Sequence, residues 1–227
     1  MSEEASLIVI ALRGTQAGDW RIYDPFTTLA TRSFMRDYRA YTPFVRFQID
    51  VINGFNDYIT RNNFSQNVYI LITGHSLGGA ATQLISAAIQ ESDWSVNSKI
   101  FTYTIGSPNP IANVTGTGVA GSFDNIFNIV NPGGDHVIDL PDARASKFGL
   151  VLAIPSMEEW GRTDNIAAFI DNYAELMDID SGQIRRSDIG SHKKESYIAW
   201  IITNPYYGSK VSIGFPQAIY SPNSPFP

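Results

Sequence analysis

The chain of 227 residues is 44% hydrophobic, 12% aromatic and 17% charged, with 16 Lys+Arg against 22 Asp+Glu and a formal net charge of −6. That apolar content excludes a disordered chain, and the length predicts one domain over residues 1–227, burying roughly 70% of the surface the unfolded chain exposes. The acidic balance, with no basic block, excludes nucleic-acid binding through a cationic face, and the lack of cysteine excludes disulfides, a thiolate nucleophile and Cys-ligated metal centres.

Met1–Ala5 is acidic and runs straight into the apolar stretch Leu7–Leu12, so it does not read as a signal peptide. No apolar run reaches the ~18 residues of a membrane span. Asn, Ser, Thr and Tyr supply much of the polarity, a balance that also suits exported enzymes and leaves the compartment open.

Leu7–Leu12 reads as a strand buried on both faces of a parallel sheet, as does Val68–Ile72. Lys99–Ile105 and Asn125–Val130 are two further strands. A helix is predicted from about Val45 to Asn62, with Ile49, Ile52, Phe55 and Ile59 on one face. A second runs from about Leu77 to Gln90, and a third follows the N-cap candidate Thr163, with Ile166, Phe169, Ile170, Tyr173 and Met177 at helical spacing. The last covers Lys193 to Thr203. The alternation of strand and helix predicts an α/β fold, a mostly parallel central sheet with helices on both faces. From Asn204 onward five prolines mark an irregular strap over the surface.

The strongest chemical signal is Gly74-His75-Ser76-Leu77-Gly78-Gly79-Ala80. Gly-x-Ser-x-Gly alone carries little, but here an apolar strand ends at Thr73 and a small-residue helix starts just after Ser76. That is the setting of a nucleophile elbow. The turn forces strained angles on the serine and leaves no room for side chains at Gly74 and Gly78. Amides at the helix start, Leu77 first, then face any oxyanion formed at Ser76. A serine hydroxyl needs a base, and histidine suits it near neutral pH. Of the three histidines, only His136 and His192 follow Ser76, and they lie too far apart with His75 to suggest a metal site. His75, inside the elbow, cannot aim its ring at Ser76 and reads as a packing or hydrogen-bonding residue.

Gly-His-Ser-Leu-Gly-Gly-Ala resembles the elbow of the class 3 lipases, the fungal-type triacylglycerol lipases and their plant phospholipase A1 relatives. Arg13-Gly14-Thr15 resembles the family's Arg-Gly-Ser/Thr, and Trp20 and Asp24 match the Asn-Trp-x-x-Asp-like stretch beyond it. Ser191-His192-Lys193-Lys194-Glu195-Ser196-Tyr197 is similar to the His-x4-Tyr of the plant branch, and Asn131-Pro132-Gly133-Gly134-Asp135-His136-Val137 through Leu140-Pro141 to the family's acid loop. Ile105-Gly106-Ser107-Pro108 looks like its Phe-Gly-x-Pro turn.

The resemblance implies an α/β-hydrolase in which Ser76 is the nucleophile, His192 the base and Asp135 its orienter, with Asp139 as the rival carboxylate. It implies oxyanion amides from Thr15 and Leu77, and Trp20 and Asp24 bracing that loop. Neither cofactor nor metal is called for; the partner is a lipid or other ester, met in transient contact with a lipid surface. A phospholipase A1, a short-chain esterase and a catalytically silent binding member of the fold are the alternatives. The stretch 26–44, with Phe34, Met35, Tyr38 and Tyr41, reads either as a flap over an acyl groove or as core. Asp178-Ile179-Asp180-Ser181-Gly182 lacks the spacing of a calcium loop, and Asn63 and Asn113 head glycosylation sequons. Family members usually carry strands and a helix upstream of the Arg-Gly-Thr strand, so either the domain is minimal, which would leave a short sheet with an exposed edge, or this is a piece of a longer polypeptide.

Overall fold

The computed structural model describes residues 6–14, 30–35, 38–64, 68–92, 98–112, 123–132, 134–141, 145–154, 166–185 and 189–203. Five strands, β1 (Ser6–Leu12), β4 (Val68–His75), β5 (Ser98–Ile105), β7 (Ile126–Val130) and β8 (Leu150–Ala153), form one sheet in the order β1-β4-β5-β7-β8. Every pairing in it is parallel. β2 (Thr31–Phe34) and β3 (Tyr38–Tyr41) form an antiparallel hairpin that continues into β6 (Ile111–Ala112).

Parallel strands require crossovers, and these place helices on both faces. The helices α1 (Thr42–Asn62) and α2 (Leu77–Gln90) lie on one face. There Phe55 and Ile59 of α1 and Ala81, Ile85 and Ile89 of α2 meet Ile8, Ile70, Ile72 and Ile100 of the sheet. The helices α3 (Ile166–Met177) and α4 (Lys194–Thr203) cover the other, where Phe169, Tyr173, Tyr197 and Trp200 pack with Ile105 and Ile129. Register explains this division: side chains alternate across a strand, so Ile70 and Ile72 go one way while Ile105 and Ile129 go the other.

Sequence accounts for the elements locally. Proline opens the first turn of α1, where its missing N–H costs nothing, and Asn63 closes the helix in a left-handed conformation with its N–H on the Ile59 carbonyl. Gly78, Gly79, Ala80 and Ala81 are all buried, which lets the start of α2 approach the sheet closely. Two buried side chains lock α2 to what surrounds it. Gln83 donates to Ser107 Oγ (2.7 Å) and accepts from the Phe148 amide (3.0 Å). Ser86 Oγ accepts from Thr102 Oγ1 at 2.7 Å.

The predicted strands and helices occur within a few residues of their expected bounds. Strands β2, β3, β6 and β8 were not anticipated. Of the two readings for 26–44, the described part takes the second: Phe34 and Tyr41 are buried in a cluster with Phe44, Leu84, Ile111 and Phe148. The strap from 204, the cap at Thr163 and the Asn113 sequon lie outside the described residues. Asp180 accepts from the Gly182 amide in a tight local turn, closing that loop on itself. No helix among the described residues is long and apolar enough to cross a membrane.

Candidate active site

β4 ends at His75 and α2 starts at Leu77, so a single residue, Ser76, turns the chain through the corner. Its backbone stands at φ 56° and ψ −129°, a region that side chains disfavour. Three bonds hold it there against that strain. The Ser76 amide donates to the Ile105 carbonyl (3.0 Å), its carbonyl accepts from Ala80 (3.2 Å), and its hydroxyl reaches His192. The glycines on either side are sterically required. A Cβ on Gly74 would come within 2.6 Å of the Gly78 backbone, and one on Gly78 would strike the carbonyls of Leu12 and Arg13.

His192 arrives from the turn that leads into α4. Its Nε2 lies 2.8 Å from Ser76 Oγ, and its Nδ1 lies 2.8 and 2.9 Å from the two carboxylate oxygens of Asp135. A carboxylate only accepts, so Nδ1 carries the hydrogen and donates to Asp135. That leaves Nε2 of the neutral ring with a lone pair facing the serine hydroxyl, which donates to it. The His192 ring therefore stands in the one tautomer able to take a proton from Ser76.

Asp135 is buried, and its two oxygens accept hydrogen bonds from three sides. Besides His192, its Oδ1 accepts from the Val137 amide at 3.0 Å, and its Oδ2 accepts from the Tyr197 hydroxyl at 2.7 Å. Tyr197 is fully buried, and its oxygen accepts in turn from the Asn131 amide at 3.0 Å. Burial, together with the adjacent Asp135 carboxylate, holds the Tyr197 phenol protonated far above its ordinary range, so it remains a donor. Sequence reading assigned Tyr197 no task; its spacing after His192 was the available signal. Asp139, the rival carboxylate, ends the 3-10 turn 136–139, is exposed and is not bonded to His192. Gly106 (φ 56°) seats the turn after β5 against the acid: a Cβ there would lie 3.0 Å from Asp135 Oδ2 and 3.3 Å from His192 Nδ1.

Lys147 supports the acid loop from below. Its Nζ donates to the Ile138 carbonyl (2.7 Å) and to Asn109 Oδ1, and burial pulls its pKa down to about 7 against the pull of Asp139 and Asp135. A cleft of about 840 Å³ opens beside His192, between the end of β1, His75 and residues 190–195.

The structure thus brings Ser76, His192 and Asp135 together, and sets Leu77 at the start of α2, where helix amides lack intrahelical partners. Thr15, Trp20 and Asp24 lie outside the described residues. Among the described residues no three His, Cys, Asp or Glu side chains gather as a metal site would require.

The family described as lipase (class 3) matches residues 9–144, more than half of the chain. Among solved structures the chain is similar to a lipase from Rhizopus microsporus var. chinensis, at 20% identity and a TM-score of 0.46, covering 68% of this chain and 55% of that one. It is also similar to the triacylglyceride lipase of Rhizomucor miehei, at 23% identity and a TM-score of 0.47, covering 66% and 57%. The chain spans about half the length of the solved structures it matches. No curated protein sequence matches it.

Proposed function

The chain belongs to the class 3 lipases, and on that footing we propose that it is a serine carboxylic-ester hydrolase, one domain over residues 1–227, acting on lipid esters such as triacylglycerols. Ser76 Oγ attacks the acyl carbon as His192 Nε2 takes its proton. Asp135 holds the ring and stabilises the imidazolium that results. The carbonyl oxygen, now an anion, is held by the amides of Leu77 and Thr15, the second on the family resemblance alone. His192 returns the proton to the departing alcohol, leaving an acyl group on Ser76. Water, activated by the same histidine, then releases the acid. The proton taken from Ser76 leaves with the alcohol, and one taken from the water by His192 restores the Ser76 hydroxyl as the acid departs. Loss of one oxyanion donor lowers turnover by about 10²–10³.

One observation supports this reading above the rest. The hydrogen bonds run without a break from Ser76 through His192 to Asp135, with 2.8 Å at each join, and the serine sits on a strained corner at the start of a helix. A strained, activated hydroxyl has little use in a binding module.

The test is labelling by a fluorophosphonate, which reports an activated serine directly. Wild-type protein takes up the label and Ser76→Ala does not. A well-folded wild type that stays unlabelled overturns the reading and favours a silent member of the fold. Rates against nitrophenyl esters of rising chain length, below and above micelle formation, separate the substrate classes. A preference for long chains presented in micelles supports a lipase; one for short monomeric esters makes it an esterase.

A further inference from the structure

His75 has no part in the reaction just described, yet it touches the base in two ways. Its Nε2 lies 2.9 Å from the main-chain carbonyl of His192, and its ring lies against the His192 ring, tilted by 32° with 4.9 Å between centroids. A carbonyl only accepts, so Nε2 carries the hydrogen and donates. The ring is tightly seated: a Cβ on Gly14 would come within 3.1 Å of its Nδ1. It lines the same cleft as His192.

The charge state fits the geometry. Burial lowers the pKa of His75, opposed by its bond to the His192 carbonyl and the attraction of Asp135, and reinforced by repulsion from His192 and Lys194. A neutral ring keeps the Nε2–H needed for the carbonyl. It also puts no positive charge against His192 when that residue takes up a proton.

We propose that His75 is a positioning residue: its Nε2–H clamps the turn that carries His192, and so keeps the imidazole within hydrogen-bond reach of Ser76. The inference rests on the serine-hydrolase reading and goes further, because it assigns the residue before the nucleophile to the base rather than to the elbow. His192 enters from a turn and its side chain is 31% exposed. Asp135 fixes the far side of the ring. The clamp fixes the backbone beneath it, and together they leave the ring one approach to Ser76.

Three variants of the full chain test this. His75→Gln keeps an amide N–H near the position of the ring Nε2, His75→Phe keeps a flat ring without a donor, and His75→Asn has a donor too short to reach. The readings are the rate of fluorophosphonate labelling, kcat and KM on a soluble nitrophenyl ester, thermal melting, and the low-field proton resonance of the His192–Asp135 hydrogen bond. His75→Phe and His75→Asn lower labelling and kcat together by about 10- to 100-fold, the scale of a 1 Å misplacement, with KM within about twofold, and the resonance broadens. His75→Gln restores both rates to within about threefold of wild type. Should Phe fail to fold, Asn against Gln decides the matter. The inference is overturned if the variants lacking the donor react at the wild-type rate, if Gln is as slow as they are, or if the loss falls on KM. Labelling of wild type that vanishes in Ser76→Ala upholds the hydrolase reading whatever the His75 variants do, so the two stand or fall separately.

Discussion

Asp135 is the residue whose bonding leaves least freedom. It accepts from one amide, one phenol and one imidazole while buried from water, so each donor also constrains the others. Replacing it by Asn keeps the shape and reverses one bond. The new amide sits among three donors, and where its NH₂ faces His192 Nδ1, that nitrogen must become the acceptor. The hydrogen then moves to Nε2 and points at Ser76, which is the wrong tautomer for a base. Asp135→Asn is expected to lower kcat by about 10⁴ with little change in KM, measured on a soluble ester. Asp139→Asn, which alters an exposed side chain not bonded to His192, is expected to stay within about twofold. Equal losses in the two would return the role to the rival. From sequence Asp135 was preferred through the family resemblance alone, and Asp139 stayed its rival because both lie in one short loop. A single 3-10 turn sends one inward and the other out.

The elbow and the acid loop each store a cost that a substitution can expose. Ser76 stands at φ 56°, where a Cβ is strained by about 1–3 kcal/mol and glycine is not. Ser76→Gly and Ser76→Ala are both expected to be inactive, but Gly is expected to be more stable by about 1 kcal/mol once its greater unfolded-state entropy is deducted, read by urea denaturation. In the acid loop, Lys147 titrates at about 7 in the folded chain against an ordinary 10.5. Between those values the unfolded chain binds more protons, so stability rises with pH through that window, and below it the full cost of the buried charge is present. Relative to Lys147→Met, wild type should gain about 3 kcal/mol from pH 7 to pH 9.5, at ~1.4 kcal/mol per unit. A constant difference would mean that the ammonium is solvated. Strands β1, β4, β5 and β7 were legible as short runs rich in apolar and β-branched residues, but β1 is covered on one face only, with Leu7 and Val9 exposed on the other, against the expectation of burial on both. Strand β8, four residues long, and the β2–β3 hairpin have no such pattern. The hairpin's aromatic residues look alike as flap or as core, and only packing against Phe148 and Leu84 decides between them. The contacts of His75 and Tyr197 with residues far along the chain were invisible for the same reason: they are made by tertiary approach, not by spacing.

For the molecule as a whole, β1 and β8 are the edges of the parallel sheet among the described residues. Among the described residues β1 pairs only with β4, and no described strand lies along its outer side. On the face away from α1 and α2, Leu7 and Val9 are 63% and 54% exposed. Natural edges of this kind are guarded by lysine, proline or a bulge; β1 reads Ser-Leu-Ile-Val-Ile-Ala-Leu and has none of these. Its β-branched, uncharged run is also the composition that favours strand addition between chains. The chain is therefore expected to self-associate with rising concentration, seen as growing light scattering at temperatures where the core is intact. Val9→Lys places a charge on the exposed face while leaving Ile8 and Ile10 directed at the other side of the sheet. It should suppress association and leave ester hydrolysis and melting temperature near those of wild type, because Ser76, His192 and Asp135 are borne by other elements. Scattering that persists in Val9→Lys would place the association elsewhere. A fall in melting temperature of many degrees would mean that Val9 is covered in the folded chain and that the edge is already occupied.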